Sequence, residues 1–204
     1  MIKNIIFDFD GVLLDSVPVK TEAYRELFNK FSNNIVEKMV KYHELNGGIS
    51  RYKKIQYFFN ELLGEDVSEE KIQEYALKYS ELTKIELTHE KYLIKDTLNY
   101  IKLNSKKINM HIASGSDNTD LIYICNKLDL NKYFLSMKGS PKVKSLIVKE
   151  ILDDNRYKKE ETILIGDSIN DYEAAKINGI KFYGYNNKSL KNNHSYIDSF
   201  STFK

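Results

Sequence analysis

Four short apolar runs, each ending at once in small or acidic residues, are the feature that most constrains how this chain folds. They cover residues 5–7, 110–113, 162–165 and 180–183. Such a run taken alone is either a strand or a buried helical segment, but its β-branched and aromatic content and the Asp, Ser or Gly that follows favour a strand. Amphipathic helical patterns lie between the runs, for example at 143–152. This alternation predicts a parallel sheet with helices on both faces.

The segment between the first and second runs does not follow this alternation. It has no convincing strand pattern, and we interpret it as successive helices at 18–31, 35–45, 50–63 and 68–85. Aromatic residues at helical spacing in the third of these predict a packed core rather than a ligand site. We therefore expect a separate helical insert.

Charge and hydropathy argue against two kinds of partner. The 31 basic and 29 acidic side chains leave a net charge of +2 without a dense basic block, so we expect no nucleic-acid partner. No apolar stretch approaches the roughly 18 residues of a membrane helix, so we expect no membrane association and a cytoplasmic location. The single cysteine, Cys125, lies in an apolar helical pattern and is expected to be buried. The polar segment 186–194 is interpreted as a surface loop before a last short strand at 196–197.

The strongest local signal for chemistry is a pair of carboxylates, Asp8 and Asp10, at the end of the first apolar run. Side chains at positions i and i+2 of a strand share one face. Two neighbouring carboxylates repel, so a fold keeps both when a cation neutralises one or a proton remains on the other. An acidic turn closed by Gly11 is the alternative interpretation of this motif alone.

A second acidic strand end follows the third run, where Asp167 and Asp171 lie four residues apart across the turn into a helix. This spacing puts them on one helix face, although N-capping by Asp167 is an alternative. The carboxyl ends of parallel strands form one edge of an open sheet, where ligands bind. The four carboxylates would gather there as hard oxygen ligands, which suit Mg²⁺ better than Zn²⁺.

The end of the second run and a later pair of lysines supply groups that can bind an anion. Ser114 brings a hydroxyl, and Gly115 can present a backbone N–H group, although a simple Ser turn has the same sequence. Lys142 and Lys144 lie at the start of a predicted helix. In a chain this rich in lysine, a solvated surface position is the alternative for each.

As a set, these motifs resemble those of the haloacid dehalogenase superfamily of aspartate-dependent phosphohydrolases over nearly the whole chain. Residues 8–16 resemble the first motif, Ser114 the second, a lysine at 142 or 144 the third, and residues 166–171 the fourth. The helical insert after the first motif is similar to that of the subgroup that includes phosphoglycolate phosphatase-like enzymes and β-phosphoglucomutase.

The resemblance implies a three-layer Rossmann-like α/β core with a parallel sheet, formed by residues 1–16 and 89–204, and an inserted α-helical cap domain at 17–88. Lys144 is the preferred phosphate-binding lysine, because the spacing Gly-Ser-Pro-x-x-Lys resembles a variant of the third motif. Asp10 argues for phosphate-ester chemistry, because the dehalogenases and phosphonate hydrolases of the superfamily typically lack this acid.

The resemblance also implies a role for each site residue. Asp8 attacks phosphorus to form an aspartyl-phosphate that water then hydrolyses, and Asp10 transfers the proton as acid and base. The groups implied to hold Mg²⁺ are Asp8, the Asp10 backbone carbonyl, Asp167 and Asp171. The groups implied to bind the phosphoryl oxygens are Ser114, the Gly115 N–H and Lys144.

Substrate choice is expected to lie in the insert, because a cap that closes over the site excludes water and contacts the leaving group. Arg51 is expected to make a bidentate contact with an anionic group, and Lys54 shares its helix face. His43 and Lys20 are candidates to join them but are interpreted as surface residues. These cations suit a phosphorylated sugar or hydroxy acid.

Three functions remain open from the sequence. The leading hypothesis is a Mg²⁺-dependent phosphatase that acts on a small phosphorylated metabolite. A phosphomutase of the β-phosphoglucomutase kind needs the same acids and metal, and differs in whether water or a sugar hydroxyl takes the phosphoryl group. A non-catalytic binding protein is the third hypothesis. The modest size of the chain favours a monomer and leaves a dimer open.

Overall fold

The computed structural model describes residues 1–203, and its centre is a six-stranded parallel sheet. The strands are β1 (Asn4–Phe7), β2 (Asn109–Asp117), β3 (Ser136–Ser140), β4 (Thr162–Gly166), β5 (Lys181–Tyr185) and β6 (Tyr196–Ile197). Their order across the sheet is β3-β2-β1-β4-β5-β6, so that β1 pairs with β2 on one side and with β4 on the other. Strand β1, which Asp8 follows, is therefore central. Its two neighbours, β2 and β4, also end close to residues predicted to be functional.

Eight α-helices accompany the sheet in the described part of the chain. They are α1 (Val17–Leu27), α2 (Asn33–Leu45), α3 (Arg51–Tyr57), α4 (Glu69–Thr83), α5 (Lys95–Asn104), α6 (Asn118–Lys127), α7 (Lys144–Asn155) and α8 (Ile169–Asn178). A π-helical turn, Phe58–Leu63, continues α3. All helices in residues 1–203 are too short or too polar to cross a membrane.

The sheet is buried on both faces because alternate residues of its central strands are apolar in both directions. Ile5 and Phe7 of β1 pack with α5 and α6, whereas Ile6 packs on the opposite face with α7 and α8. The predicted α/β fold with a three-layer Rossmann-like core is therefore confirmed. Cys125 is buried in the first of these two layers, among apolar side chains.

Helices α1 to α4 pack around an aromatic cluster of their own. Phe28 and Phe58 stack at its centre with ring centroids 3.6 Å apart, and Tyr24 packs at one end against Tyr79. The two connections between these helices and the core lie side by side, because Asp15 N donates to Tyr92 O at 2.7 Å. The insert thus leaves and re-enters the core at one place.

Two details of the fold differ from the sequence interpretation. Strand β3 was not predicted, because Met137 is the one large apolar residue in a stretch that reads Ser-Met-Lys-Gly-Ser. The segment 186–194 begins with two asparagines that contact the core, and its short helical turn buries Leu190. Residue 204, the last of the predicted core segment, lies outside the described residues.

Candidate active site

The carboxyl ends of β1, β2 and β4 bring the predicted acids and hydroxyls together. Asp8 follows the last residue of β1, Asp167 follows β4, and Ser114 lies near the end of β2. Oxygens of Asp8, Asp167 and Asp171 lie within 4.8 Å of one another. Residues separated by more than 150 positions in the chain therefore form one acidic cluster.

Two glycines allow the carboxylates to approach so closely. Gly11 has a φ of +73°, and a Cβ there would lie 2.0 Å from Oδ2 of Asp167. A Cβ at Gly166 would lie 2.3 Å from Cγ of Asp171. Such distances are sterically forbidden, so Asp167 occupies the space that a side chain at Gly11 would fill, and Asp171 the space of a side chain at Gly166.

Burial and mutual repulsion disfavour the charged forms of these acids. Burial, followed by the nearby charge of Asp171, raises the pKa of Asp8 well above its ordinary value. The same two causes raise the pKa of Asp167 to about 7. The charge of Lys144 acts in the opposite direction on both acids without cancelling the effect. The cluster thus lacks enough positive charge to balance its acids, which is a setting that suits a bound cation.

Lys144 is the lysine that contacts the acidic cluster. Its Nζ lies 2.8 Å from Oδ1 of Asp8 and also donates to Asp171, and all three side chains are buried. Burial alone would lower the pKa of Lys144, but the charges of Asp171 and Asp8 raise it above its ordinary value. Lys142, by contrast, is exposed and pairs with Glu150.

Asp10 is bound by three donors from different elements. Lys20 Nζ, at the start of the insert, and Ser16 Oγ donate to its Oδ1, and Ser116 Oγ at the end of β2 donates to its Oδ2 at 2.6 Å. Burial would raise the pKa of Asp10, but the charge of Lys20 and these hydrogen bonds lower it to about 2. Asp10 is therefore an anion in this arrangement.

The donor set of the acidic cluster fits a hard divalent cation. Its members offer carboxylate oxygens only, without a nitrogen or sulfur ligand. Asp171 has both oxygens engaged, because it also accepts from the Ser168 backbone N–H and hydroxyl. Asp8 and Asp167 thus remain the carboxylates best able to contact a metal directly, with Asp171 as a support on the same side.

A cavity of about 490 Å³ lies between this strand-end site and the insert. Asp10, Asp167 and Gly115 line it from the core, and Arg51 and Lys54 line it from helix α3. The acids predicted for chemistry and the cations predicted for substrate binding therefore face one common space.

Arg51 is engaged by the core, although it lines the cavity. Its guanidinium donates to Oδ2 of Asp120 at 2.7 Å and also bonds Ser80, and both members of the ion pair are buried. Beside it, Tyr52 donates to Asp117 at 2.6 Å. These contacts join α3 to the start of α6 across the boundary between insert and core.

The turn before α3 closes directly over the end of β2 and the first residues of α7 and α8. Asn170 of α8 donates to the Gly47 carbonyl oxygen at 2.6 Å, and the Gly48 carbonyl packs against Gly115. A Cβ built on Gly48 would lie 3.5 Å from Lys144 Nζ. The insert is thus closed on the core.

Two residues interpreted as surface positions lie inside this site, where His43 is buried and Lys20 is largely covered, so the interpretation was wrong for both. Lys20 bonds Asp10 and Ser116, and His43 packs on Tyr24 and accepts from Lys54. Helical periodicity does not reveal such partners, because they come from distant segments. Sequence reasoning also missed three further polar residues at the site: Ser116, Asn186, which donates to Gly11 O, and Asn187, which donates to Asp167 O.

Carboxylates at the ends of central parallel strands, a buried lysine and a closed helical insert define a Rossmann-like hydrolase with a capped site. The family model for haloacid dehalogenase-like hydrolases matches residues 5–185, so the chain belongs to that family. The predicted family is thereby confirmed, as is the predicted class of enzyme, a phosphatase-type hydrolase.

Individual relatives agree with this assignment. The chain is 27% identical over 186 residues to a phosphorylated carbohydrates phosphatase from Thermotoga maritima, a match covering 88% of this chain and 83% of the relative. It is 27% identical over 198 residues to a phosphoglycolate phosphatase from Vibrio parahaemolyticus, covering 91% and 86%. The crystal structure of β-phosphoglucomutase from Clostridium difficile has a TM-score of 0.79 and 19% identity, covering 100% and 94%, and shares the fold.

Proposed function

We propose that this protein is a Mg²⁺-dependent phosphatase that hydrolyses a small phosphorylated metabolite, a sugar phosphate or a phospho-hydroxy acid. The observation that carries the proposal is Asp8, a buried carboxylate at the end of the central strand with Lys144 Nζ 2.8 Å away. A nucleophile needs this fixed position, and the adjacent lysine can bind the anion that it attacks.

In the proposed reaction, a carboxylate oxygen of Asp8 attacks phosphorus while the bond to the leaving oxygen breaks. Asp10 donates a proton to that oxygen, and then takes a proton from the water that hydrolyses the aspartyl-phosphate. The products are an alcohol and inorganic phosphate, and Asp8 and Asp10 return to their initial states. Asp10 requires a proton before the first step, so its contact with Lys20 must loosen or pass that proton on.

The remaining strand-end groups would bind the phosphoryl oxygens. Ser114, the Gly115 N–H and Lys144 come from two segments that converge beside Asp8, and hydrogen-bond donors fixed in place stabilise charge as it rearranges. Asp8, the Asp10 carbonyl and Asp167 would hold Mg²⁺, with Asp171 as support, and the ion would reduce the repulsion between the anionic nucleophile and the anionic phosphate.

The substrate class rests on the cavity and on the relatives. A cavity of about 490 Å³ between the insert and the core fits a small leaving group rather than a polymer. The named relatives act on phosphorylated carbohydrates and on phosphoglycolate, which supports a small phosphorylated metabolite. We propose that residues 17–88 act as the cap that excludes water and selects this leaving group.

Phosphate release from a panel of phosphorylated sugars and hydroxy acids, with Mg²⁺ or with EDTA, tests the proposal. We expect release that needs Mg²⁺ and falls at least about 1,000-fold in Asp8→Asn, because the nucleophile is lost. Asp66→Asn, which removes an exposed carboxylate from the insert, is the matched control and should match the wild type. Isomerised sugar phosphate without net release would instead indicate a phosphomutase, and release unaffected by Asp8→Asn would contradict the proposed mechanism.

A further inference from the structure

The buried basic groups around the cavity differ in one respect. Lys20 pairs with Asp10, Arg51 with Asp120, and Lys144 with Asp8. Lys54 is more buried than any of these, yet within residues 1–203 no carboxylate lies within 4 Å of its Nζ, and only the more distant charges of Asp10 and Asp167 favour its charged form. Burying an ammonium group without a counter-charge costs free energy, so a fold retains one where a ligand supplies the charge.

His43 is the partner that Lys54 has instead. Lys54 Nζ donates to Nδ1 of His43 at 2.9 Å and lies 3.3 Å from the His43 backbone oxygen. A protonated Lys54 can only donate, so Nδ1 then accepts and the neutral ring carries its proton on Nε2, which is buried and has no partner among the described residues. Helices α2 and α3 thus place an ammonium group and an unused N–H donor together.

Both side chains line the cavity on the side of the insert. Burial, followed by the charge of Lys54, lowers the pKa of His43 to about 2, so its ring is a neutral donor at working pH. Burial lowers the pKa of Lys54 to about 7, and a bound anion would favour its charged form. With an anion bound, the pair therefore offers one positive charge and one neutral N–H. A carboxylate, with one negative charge and two acceptor oxygens, matches this set better than a dianionic phosphate.

Arg51 is not available to bind an anionic group of the substrate in the same way. Its guanidinium already bonds Asp120 and Ser80, and a ligand anion would have to displace a buried carboxylate. Its charge is therefore used to join the insert to the core, and Lys54 is the cation left to meet the substrate.

We propose that Lys54 and His43 form a subsite for a carboxylate on the leaving group, so that the preferred substrate is a phosphorylated hydroxy acid. This inference rests on the proposed phosphatase function and narrows its substrate class. Arg51, the residue that the sequence favoured for anion binding, acts as a link between cap and core.

Matched substrates test the subsite directly. 2-Phosphoglycolate and 2-hydroxyethyl phosphate have the same chain length and differ in a carboxylate against a hydroxymethyl group. We expect the wild type to prefer the carboxylate in kcat/KM. Lys54→Met should lower kcat/KM for 2-phosphoglycolate by about 100-fold, and leave 2-hydroxyethyl phosphate within about threefold, because only the carboxylate loses its charge partner. Lys53→Met, at the exposed neighbouring position, is the matched control.

A thermal melt separates binding from a structural role. Replacing an uncompensated buried ammonium with an apolar side chain of similar length should leave the melting temperature of Lys54→Met unchanged or raise it. A structural lysine would lower it. His43→Leu, which removes the donor without removing a charge, should lower kcat/KM for 2-phosphoglycolate by about tenfold.

Ligand-induced shifts in melting temperature keep the subsite testable without turnover. We expect 2-phosphoglycolate to stabilise the wild type more than 2-hydroxyethyl phosphate does, and Lys54→Met to lose that difference. If phosphate is released but the two substrates behave alike, the subsite is wrong and the phosphatase function stands. If no compound is hydrolysed yet the Lys54-dependent shift persists, the phosphatase function fails and the subsite stands. A preference for a sugar bisphosphate that depends on Lys54 would overturn the carboxylate assignment.

Discussion

Gly115→Ala is a sharp test of the contact between insert and core. Gly115 lies in strand β2, and a Cβ there would lie 2.1 Å from the Gly48 carbonyl oxygen and 2.6 Å from the carbonyl carbon. Real Cβ contacts essentially never fall below 3.0 Å. The turn before α3 must therefore withdraw by about 0.9 Å before the methyl group fits.

We expect Gly115→Ala to lower the turnover rate rather than the stability of the fold. Gly115 lies in a strand, and β structure accepts alanine, so the core strand itself has no reason to unfold. A displacement of about 1 Å between catalytic groups and substrate-positioning groups can cost on the order of 100-fold in rate. We expect kcat for the preferred metabolite to fall by about 10- to 100-fold, with a free energy of unfolding within about 1 kcal/mol of the wild type.

The assay compares the preferred metabolite with acetyl phosphate, whose small leaving group makes less use of the insert. Gly115→Ala should affect acetyl phosphate less, because the core groups keep their positions. Gly64→Ala is the control: a Cβ there meets nothing within 4 Å, but Gly64 has a φ of +70°, so this variant should lose stability while its kcat stays at the wild-type value. Wild-type kcat in Gly115→Ala on the preferred metabolite would refute the idea that this close contact is needed for turnover.

Three further predictions concern ion pairing, acid stability and metal binding. Arg51→Met and Asp120→Asn should each lower the free energy of unfolding by about 3 kcal/mol, since each leaves a buried partner unpaired. The double variant should lose less than the sum of the two single losses, and a double-mutant cycle measured by urea unfolding checks this. Burial, followed by the charge of Lys138, lowers the pKa of His111 from 6.5 to about 4. Its neutral form is thus favoured in the fold, and the contribution of His111 to the free energy of unfolding should fall by about 3 kcal/mol as the pH decreases from 6.5 through 4. Urea unfolding of His111→Gln against pH should show a shallower decline, and an equal decline would contradict this assignment. Mg²⁺ should raise the melting temperature of the wild type, and Asp167→Asn should lose most of that increase. An equal increase in Asp167→Asn would contradict the assignment of Asp167 as a metal ligand.

The sequence was sufficient for features that depend on local pattern. Strands β1 and β4 are apolar on both faces, and the acids that follow each strand lie at the same sheet edge because all strands are parallel. Asp8, Asp10 and Asp167 could therefore be assigned to one site before any coordinates. Strand β3 was not predicted because it is an edge strand with little apolar content of its own, and its burial depends on neighbouring elements.

The sequence was not sufficient for pairs between distant segments. Arg51 and Asp120 are 69 positions apart, and neither residue alone indicates that the other neutralises it. Lys20 looks like any lysine on the solvent side of a helix until the fold brings Asp10 to its Nζ. The three-dimensional neighbours of a basic side chain decide whether it has a carboxylate partner. The contrast between Arg51, which has one, and Lys54, which has none within 4 Å, therefore appears only in the folded chain.

The aromatic cluster of the insert has no member in common with the two apolar clusters that flank the sheet. The strands that support Asp8 and the insert that lines the cavity are therefore stabilised by separate sets of side chains. Changes at the ends of α2 and α3 can alter which molecule is accepted without disturbing the strands that support Asp8. In an enzyme built in this way, substitutions in the insert change the shape and charge of the cavity while the strand ends that hold the acids keep their positions.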